Sequence, residues 1–272
     1  MLDKDTQVCI SVATKPSQFG TTVHNRAYQA LGLNFIYKAF GVSNLKGAID
    51  GVKALGIRGC SVTMPFKEQV LKYVDDLDKT AKSIGAVNTI VNNSGRLKGY
   101  NTDAYGAKVA LETLGVKTND RVLLLGAGGA AKAILFALKE LGVKDIFISN
   151  RTLSKAQKIA QKNRIKAISW QERNKIDVDV LINATPIGML PNVHEIPVEL
   201  NMIQKVKMVM DVIVTPIESR LIQVAKKMGK KIIAGYEMSL HQAAAQFKIY
   251  TGQPAPLNVM RQAVLELLQG QR

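Results

Sequence analysis

The sequence contains little cysteine, few aromatic residues and no long apolar run, and these shortages exclude several classes of protein. Two of its 272 residues are cysteines, Cys9 and Cys60, and their spacing suits neither a disulfide framework nor a zinc site. We therefore expect no metal ion, and we interpret both thiols as reduced and buried in a cytoplasmic protein. No apolar run approaches the roughly 18 residues that span a bilayer, and no signal-peptide pattern is evident, so no membrane role is expected.

Acidic residues are also scarce, because 21 Asp and Glu stand against 37 Lys and Arg and leave a formal net charge of +16. A basic balance fits either a nucleic-acid partner or a solvated surface that helps to hold an anionic substrate and cofactor. The basic residues are scattered along the chain, and the aromatic residues, 6% of the total, do not alternate with them. We therefore predict small anionic ligands and no nucleic acid.

The sequence is rich in apolar β-type runs that alternate with helical patterns, and this alternation predicts an α/β fold. The runs VCISVA, FIYKAF and RGCSVTM predict a largely parallel first sheet, and a hairpin is expected around residues 93–95. A second series begins with RVLLLG, an uninterrupted apolar run typical of a strand buried on both faces. We predict two domains, residues 1–103 with 238–272 and residues 104–237, the second of them a doubly wound sheet.

A glycine-rich loop follows RVLLLG and opens a helical pattern, and it matches G-x-G-x-x-A. Such a loop allows a tight turn, a close approach of the backbone to a pyrophosphate, and a helix N-terminus directed at that phosphate. The alternative is a glycine-rich turn that binds nothing. We predict a dinucleotide site that includes Gly126, Ala127, Gly128, Gly129 and Ala130.

The end of the next predicted strand distinguishes the two nicotinamide dinucleotides. An NAD site usually places Asp or Glu there to bind the ribose 2′-hydroxyl, whereas this strand ends in Asn150, Arg151 and Thr152. The Arg151 guanidinium suits a 2′-phosphate, and Lys155 follows one helical turn later. A solvated basic turn is the alternative, but beside the glycine loop these residues predict NADP.

Seven segments together resemble the shikimate dehydrogenase family, in the family's order and across nearly the whole chain. They are Val62-Thr63-Met64-Pro65-Phe66-Lys67, Gly85-Ala86-Val87-Asn88-Thr89, Tyr100-Asn101-Thr102-Asp103, the glycine loop, Asn150-Arg151-Thr152, Asn183-Ala184-Thr185-Pro186-Ile187-Gly188-Met189, and Gln242. The resemblance implies an N-terminal α/β substrate domain completed by the C-terminal helices, with a Rossmann NADP-binding domain between. It also implies reversible NADP-linked reduction of 3-dehydroshikimate to shikimate, on the route to chorismate and aromatic amino acids.

The resemblance assigns Lys67 and Asp103 as the catalytic pair. Hydride loss from a secondary alcohol requires removal of the hydroxyl proton, which a lysine can accept while an aspartate orients the reacting groups. Which of the two is the principal base stays open at this point. Taken alone, Lys67 would be a surface lysine and Asp103 a helix N-cap.

Other site residues follow from the same resemblance. Thr63, Asn88 and Gln242 are expected to bind the substrate's hydroxyls and carboxylate, and Thr185 and Gly235 to contribute to the cofactor site. Amide side chains both donate and accept hydrogen bonds, as recognition of a polyol requires. His24 and His241 have no evident partner in the sequence and are interpreted as structural.

The first loop departs from the family pattern. Two serines that bind the substrate's carboxylate in the family correspond to Gln18 and Gly20, an asparagine to Ser61, and a late tyrosine to Val214. The pattern is similar to the shikimate dehydrogenase-like subclass. We expect slow turnover of shikimate, with Gln18, Thr21 or Thr22 as partial replacements for the serines.

Three questions stay open at the level of sequence. The substrate is a hydroxylated cyclic carboxylate, with quinate as the alternative to shikimate. A non-catalytic nucleotide sensor on the same fold is the alternative to an enzyme, although the presence of Lys67 and Asp103 argues against it. The chain is expected to be a monomer or a homodimer.

Overall fold

The computed structural model describes residues 2–270, so residues 1, 271 and 272 of the predicted first domain lie outside the described part. The chain forms two compact units. One extends to Tyr105 and resumes at Leu240, and the other comprises Gly106–Ser239. Each unit is built around its own six-stranded sheet.

The first unit contains a mixed sheet, with strands in the order β2-β1-β3-β5-β6-β4. They are β1 (Gln7–Ala13), β2 (Phe35–Gly41), β3 (Gly59–Val62), β4 (Asp76–Leu77), β5 (Thr89–Asn93) and β6 (Arg96–Tyr100). Strand β1 pairs in parallel with β2 and β3, whereas β5 is antiparallel to both β3 and β6. The antiparallel pairs are those of the predicted hairpin strand β5, and the other strand pairs of this sheet are parallel, as expected.

The predicted hairpin between β5 and β6 causes the change in strand direction. Ser94 and Gly95 both have positive φ, 53° and 90°, as a tight two-residue turn of this kind requires. The side chain of Asn92 supports the turn, since its Oδ1 accepts a hydrogen bond from Gly95 N at 2.7 Å. Because the hairpin reverses the chain, β6 returns toward the carboxyl ends of β1 and β3.

Helices connect the strands of the first unit, and side chains define where several of them begin. They are α1 (Phe19–Ala30), α2 (Leu45–Ala54) and α3 (Lys79–Ile84). The next helix, α4 (Asp103–Leu114), begins in the first unit and continues into the second. Asn44 caps α2 by accepting from Gly47 N, and Asp78 caps α3 by accepting from Ala81 N. The sequence patterns predicted α1, α2 and α4 but missed α3 and β4, which are too short to show a clear period.

The second unit contains a wholly parallel sheet, with strands in the order β12-β11-β10-β7-β8-β9. Its strands are β7 (Val122–Leu125), β8 (Ile146–Ser149), β9 (Lys166–Ile168), β10 (Val180–Asn183), β11 (Met208–Asp211) and β12 (Lys231–Ile233). Its helices are α5 (Gly129–Glu140), α6 (Leu153–Asn163), α7 (Leu200–Lys205) and α8 (Arg220–Lys227). This is the doubly wound Rossmann order, in which the direction of winding reverses between β7 and β10.

Burial on both faces explains why the strands of the second unit are continuous apolar runs. In β7, Val122 and Leu124 join one cluster of buried residues, and Leu123 and Leu125 join another on the opposite face. All four are fully buried. Each leucine removed from water in this way stabilises the fold by roughly 1.5–3 kcal/mol. The predicted two-domain α/β fold class is confirmed.

The last two helices are α9 (Gly235–Thr251) and α10 (Leu257–Gln269). Helix α10 packs on α1, where Arg26 and Glu266 form an ion pair at 2.8 Å. Within residues 2–270, no helix combines the length and the apolar character that crossing a membrane would demand.

Candidate active site

Lys67 and Asp103 meet in the first unit. Lys67 Nζ lies 2.5 Å from Asp103 Oδ2, and the side chains are only 18% and 11% exposed. The other carboxylate oxygen, Asp103 Oδ1, accepts a hydrogen bond from Asn88 Nδ2 at 2.9 Å. Both carboxylate oxygens of Asp103 therefore accept hydrogen bonds from side chains, Oδ2 from Lys67 and Oδ1 from Asn88. The side chain does not act as an ordinary helix N-cap.

Three separate segments place these groups. Lys67 lies in the turn after β3, and its carbonyl oxygen accepts from Val87 N at 2.8 Å. Asn88 directly precedes β5, where its backbone bonds both Tyr100 and Val62. Asp103 is the first residue of α4, just after β6. The antiparallel hairpin is what allows β5 and β6 to deliver Asn88 and Asp103 to the same edge of the sheet.

The Asn88 amide is fixed on both sides. Its Oδ1 accepts from Thr102 N and from Thr89 Oγ1, each at 2.8 Å, while its Nδ2 donates to Thr102 Oγ1 at 3.0 Å and to Asp103. Thr102 Oγ1 also accepts from Gln242 Nε2 at 3.2 Å. The amide has no freedom to flip, so Asp103 is held in one orientation toward Lys67.

Gln246 belongs to this network, and sequence reasoning missed it. It is 2% exposed, and its Nε2 donates to Ser61 Oγ at 3.1 Å, Asn88 O at 3.2 Å and Thr89 Oγ1 at 2.8 Å. The available signal was its position one helical turn after Gln242, which places both amides on the same face of α9. No motif alone would have separated Gln246 from an ordinary helix glutamine.

The remaining predicted substrate residues are not part of this network. Thr63 lies exposed just after β3, at the edge where Lys67 lies. Gln18 is exposed at the start of α1, and no side-chain cap is found there in the described part of the chain. Thr22 is half-buried one turn into the helix. Their substrate contacts stay predictions.

The glycine loop of the second unit joins β7 to α5 at the point where the winding of the sheet reverses. Gly126 has φ +112°, and a Cβ there would lie 2.6 Å from the carbonyl oxygen of Ala184, so only glycine fits. Gly128 differs, because it has negative φ and a Cβ at this position would have no atom of residues 2–270 within 4 Å. Glycine is a common N-cap residue, and at 128 it also leaves the backbone open to the close approach of a pyrophosphate.

The start of α5 offers backbone donors to such a ligand. Gly128 is its N-cap, and no described side chain caps this end or adds a carboxylate to the first turn. The first N–H groups of a helix attract anions. Gly129 and Ala130 supply two of those groups, and Ala127 precedes them in the loop.

The basic residues after β8 are exposed. Arg151, Thr152 and Lys155 all lie on the surface, and neither basic side chain pairs with a carboxylate within residues 2–270. Asn150 Nδ2 donates to Thr152 O at 3.0 Å and fixes the turn. Two unpaired cations that follow the carboxyl end of β8 fit the 2′-phosphate of NADP.

A buried carboxylate organises the neighbouring loops of the second unit. Asp211 Oδ2 accepts from Ser219 Oγ at 2.6 Å, and Oδ1 accepts from Asn183 Nδ2 and Ile213 N, each at 3.1 Å. Burial raises the pKa of Asp211 to about 6, against these hydrogen bonds, which lower it. Asn183 Oδ1 in turn accepts from Thr185 Oγ1 at 2.6 Å and fixes the loop in which Thr185 lies.

Gly235 begins α9, and its lack of a side chain is required for packing, independently of its predicted role in the cofactor site. A Cβ at this position would collide with the backbone of Val212 and Ile213, next to Asp211. Glycine is therefore required for the close approach of α9 to the loop after β11. Whether Gly235 also contacts a cofactor stays a prediction.

The two cysteines and His24 are buried in the first unit, beside the network around Asn88 and Gln246. Cys9 and Cys60 are buried and free, as expected, and burial raises the pKa of both thiols. His24 is fully buried, and desolvation lowers its pKa to about 4, so it is neutral. No cluster of three potential metal-ligand side chains occurs in the part of the chain that the structure describes.

A phosphate-type glycine loop on a doubly wound sheet, with a lysine–aspartate pair in the other unit, defines a dinucleotide-dependent oxidoreductase. Family models match three stretches of the chain. They are a shikimate dehydrogenase substrate binding domain over residues 18–90, a shikimate/quinate 5-dehydrogenase over 108–187, and a shikimate 5′-dehydrogenase C-terminal domain over 235–265.

Whole-chain relatives agree with these matches. The chain is 40% identical to a shikimate dehydrogenase-like protein of Haemophilus influenzae, with 93% of each chain covered. It is 42% identical to a shikimate dehydrogenase (NADP(+)) of Methanocaldococcus jannaschii, with 91% of this chain and 92% of the relative covered. A solved shikimate dehydrogenase in complex with NADP+ superposes with a TM-score of 0.91 at 39% identity, covering 98% of each chain. The chain belongs to the shikimate dehydrogenase family, and the first relative supports the predicted subclass.

Proposed function

We propose that this chain is an NADP-dependent shikimate dehydrogenase that interconverts 3-dehydroshikimate and shikimate. The observation that carries the proposal is the Lys67–Asp103 contact of 2.5 Å, with Asn88 bound to the second carboxylate oxygen. A sensor without catalysis would not need a lysine and an aspartate half-buried together. The residues of this pair match those that the family uses for proton transfer.

Lys67 is the proton carrier in this proposal, and Asp103 is its orienting partner. Both Asp103 oxygens already accept hydrogen bonds from the protein, whereas an ammonium has three donors and Lys67 directs one of them to Asp103. Lys67 therefore has capacity to contact the substrate oxygen. In the direction of alcohol oxidation, neutral Lys67 takes the hydroxyl proton, and in the direction of ketone reduction the ammonium returns a proton to the carbonyl oxygen.

NADP, when bound, supplies or accepts the hydride. The residues proposed to hold it are the glycine loop from Gly126 to Ala130 for the pyrophosphate, with Arg151, Thr152 and Lys155 for the 2′-phosphate. Asn150, Thr185 and Gly235 complete the proposed cofactor site. The absence of an acidic residue at the end of β8 supports NADP over NAD.

The proposed domain roles follow from these assignments. Residues 1–103 with 238–272 form the substrate-binding and catalytic domain, and residues 104–237 form the NADP-binding domain. We also propose a cytoplasmic monomer or homodimer that acts in chorismate biosynthesis. Quinate is the second candidate substrate, because the family model matched by residues 108–187 covers shikimate and quinate dehydrogenases together.

A turnover assay tests this function directly. Purified protein is incubated with shikimate or quinate and with NADP+ or NAD+, and the absorbance of the reduced cofactor is followed. We expect saturable oxidation of shikimate with NADP+ and a lower kcat/KM with each of the other three combinations. Higher kcat/KM with quinate would identify the alternative substrate, and no turnover with any combination would reject the enzyme proposal.

A further inference from the structure

Helix α1 holds one tyrosine of the neighbouring strand β2 from several sides. The Asn25 amide donates to Tyr37 O at 2.9 Å and accepts from Tyr37 N at 2.7 Å, which fixes the tyrosine backbone. The His24 ring stacks on the Tyr37 ring, with centroids 4.5 Å apart and planes 8° apart. Tyr37 is 2% exposed, so its position is set by the protein alone.

Gly20, one turn before His24, leaves the space that the tyrosine fills. A Cβ on Gly20 would lie 2.9 Å from Tyr37 Cε1 and 3.0 Å from its hydroxyl oxygen. A side chain at position 20 would therefore press on the Tyr37 ring, and glycine avoids this contact.

The phenol of Tyr37 meets two serines on adjacent strands. Ser11 on β1 pairs in register with Ser61 on β3, and the hydroxyls of both serines act on the Tyr37 phenol and lower its pKa against the larger effect of burial. Both serines are half-buried. Burial raises the pKa of Tyr37, so the phenol is a neutral hydroxyl at physiological pH.

The Ser61 hydroxyl is used as an acceptor in the network. Its Oγ accepts a hydrogen bond from Gln246 Nε2 at 3.1 Å, and no hydrogen bond donated by the Ser61 side chain is found within residues 2–270. A serine hydroxyl has one proton to donate in addition to the lone pairs that accept. The Ser61 hydroxyl therefore fits a ligand group that only accepts hydrogen bonds, such as a carboxylate.

Ser61 is also connected to the catalytic pair. Gln246, which binds Ser61, donates through the same Nε2 to Thr89 Oγ1 and to the Asn88 backbone oxygen. Asn88 in turn bonds Asp103, the partner of Lys67. A ligand group bound to Ser61 would therefore be held in a fixed relation to the reacting groups.

We propose that Ser61 determines substrate specificity by donating its hydroxyl proton to the substrate's carboxylate, with Tyr37 and Gln246 as the residues that orient it. The inference rests on the proposed function, because it concerns the same substrate. It identifies what replaces the serine hydroxyls that this chain lacks at positions 18 and 20. Tyr37 is a positioning residue and is not in contact with the reacting atoms.

The first experiment compares three single substitutions in the NADP+ assay. Ser61→Ala is expected to raise KM for shikimate about 10- to 100-fold, as for loss of one hydrogen bond to a charged group, with kcat within about threefold. Tyr37→Phe keeps the ring and is expected to raise KM for shikimate by a smaller factor. Neither should change KM for NADP+. Ser11→Ala removes the serine paired in register with Ser61 and is expected to raise KM for shikimate by a smaller factor than Ser61→Ala does.

A control variant tests the aromatic cluster formed by the rings of His24, Tyr28 and Tyr37. Tyr28 packs in the same cluster as His24, and its buried hydroxyl has no hydrogen-bond partner among the described residues. Tyr28→Phe therefore removes a phenol without touching Ser61, and it should leave both KM values unchanged. If Tyr28→Phe and Tyr37→Phe raise KM for shikimate equally, the positioning role of Tyr37 is overturned. The effect would then come from loosening the aromatic cluster and not from the contact with Ser61.

The second experiment changes the substrate. Shikimate methyl ester keeps the ring hydroxyls but lacks the carboxylate charge, so the effect of Ser61→Ala should fall below about twofold with the ester. An equal effect on acid and ester would show that Ser61 acts on another part of the substrate and would overturn the proposal.

Two measurements together separate this proposal from the proposed function: the turnover assay, and calorimetric titration of shikimate into the protein with NADP+. If Ser61→Ala turns over shikimate normally, the specificity proposal is rejected and the proposed function stands. If the unmodified protein has no turnover, the function fails and the titration decides on Ser61. Weaker binding in Ser61→Ala than in the unmodified protein supports the proposal, and equal binding or none rejects it.

Discussion

The two candidate sites of this molecule are built in opposite ways. In the second unit, most of the proposed cofactor residues are sequence neighbours on two turns, one after β7 and one after β8. In the first unit, the network around Lys67 draws on the turn after β3, on β5, on the start of α4 and on α9. A site made of neighbours can be recognised from a short motif, whereas a site assembled from distant segments depends on the whole fold.

The catalytic pair gives the largest expected effect and tests the assembled site. Lys67→Ala should lower kcat by ~10²–10⁴-fold, the usual contribution of a general acid–base group, while the Kd for NADP+ stays within about twofold. Stopped-flow or steady-state kinetics and a cofactor titration measure the two quantities. Lys46→Ala is the control, because Lys46 forms an exposed pair with Asp50 within helix α2. Near-normal kcat in Lys67→Ala would contradict the proton role.

Asp211 is the exception in the second unit, because it joins segments that are distant in sequence through hydrogen bonds to Asn183 and Ser219. Its pKa is raised to about 6 from 3.8 in the folded protein, so the folded state binds more protons than the unfolded state between about pH 4 and 6. The free energy of unfolding contributed by this group therefore falls as the pH rises through that window. Between the two ends of this pH window the contribution of Asp211 to the free energy of unfolding changes by about 3 kcal/mol, at 1.36 kcal/mol for each pKa unit.

Asp211→Asn removes this titration. Urea unfolding of the variant and the parent from pH 4 to pH 7 should show a gain in stability of the variant that grows with pH and levels off above about 6. Other carboxylates titrate in the same range, but they are common to both proteins and cancel in the difference. A stability difference that does not vary with pH would contradict the raised pKa.

Arg151 tests the local site. Arg151→Ala should raise the Kd for NADP+ about 10- to 100-fold, as expected for one charge-assisted hydrogen bond, and should leave the Kd for NAD+ nearly unchanged. Lys158→Ala, on the helix α6 that follows Arg151 and also exposed, serves as the control for loss of positive charge. Equal weakening of both cofactors in Arg151→Ala would mean that Arg151 is structural.

Gly20 gives the smallest expected effect and tests the packing of α1 on β2. The sequence alone suggests that restoring serines at 18 and 20 improves shikimate turnover. The structure changes this expectation, because a Cβ at 20 meets the buried Tyr37 ring at 2.9 Å. Gly20→Ala should lower the free energy of unfolding by about 1–3 kcal/mol, as overpacking usually does. Gln18→Ala, at an exposed position, should change it by less than about 0.5 kcal/mol.

The sequence predicted the second unit better than the first for a physical reason. Strands such as β7 are buried on both faces, so their apolar runs are unmistakable, and the glycine loop after it has a backbone requirement at Gly126. The first sheet mixes directions, and β4 has two residues, too few for a period. Hydrogen-bond partners such as Gln246 and Ser61 have no local signature, because their role depends on the β1–β3 register and the position of α9.

Family resemblance supplied Lys67, Asp103 and Asn88, which composition and spacing could not. Each alone has an ordinary structural reading, and only the folded chain brings them within hydrogen-bond distance. Gln18 and Thr22 remain predictions, since both lie outside that network. The resemblance also directed attention to position 20 without indicating that a tyrosine fills it.

The contact between Asn25 and Tyr37 has a consequence for the behaviour of the protein at high concentration. Strand β2 is the outer strand of its sheet, and an outer strand presents backbone groups that can recruit a strand of another chain. The Asn25 side chain occupies both the N–H and the C=O of Tyr37, near the middle of that strand. A single amide thereby interrupts the template for intermolecular β-pairing, and its loss would expose the chain to aggregation through this edge.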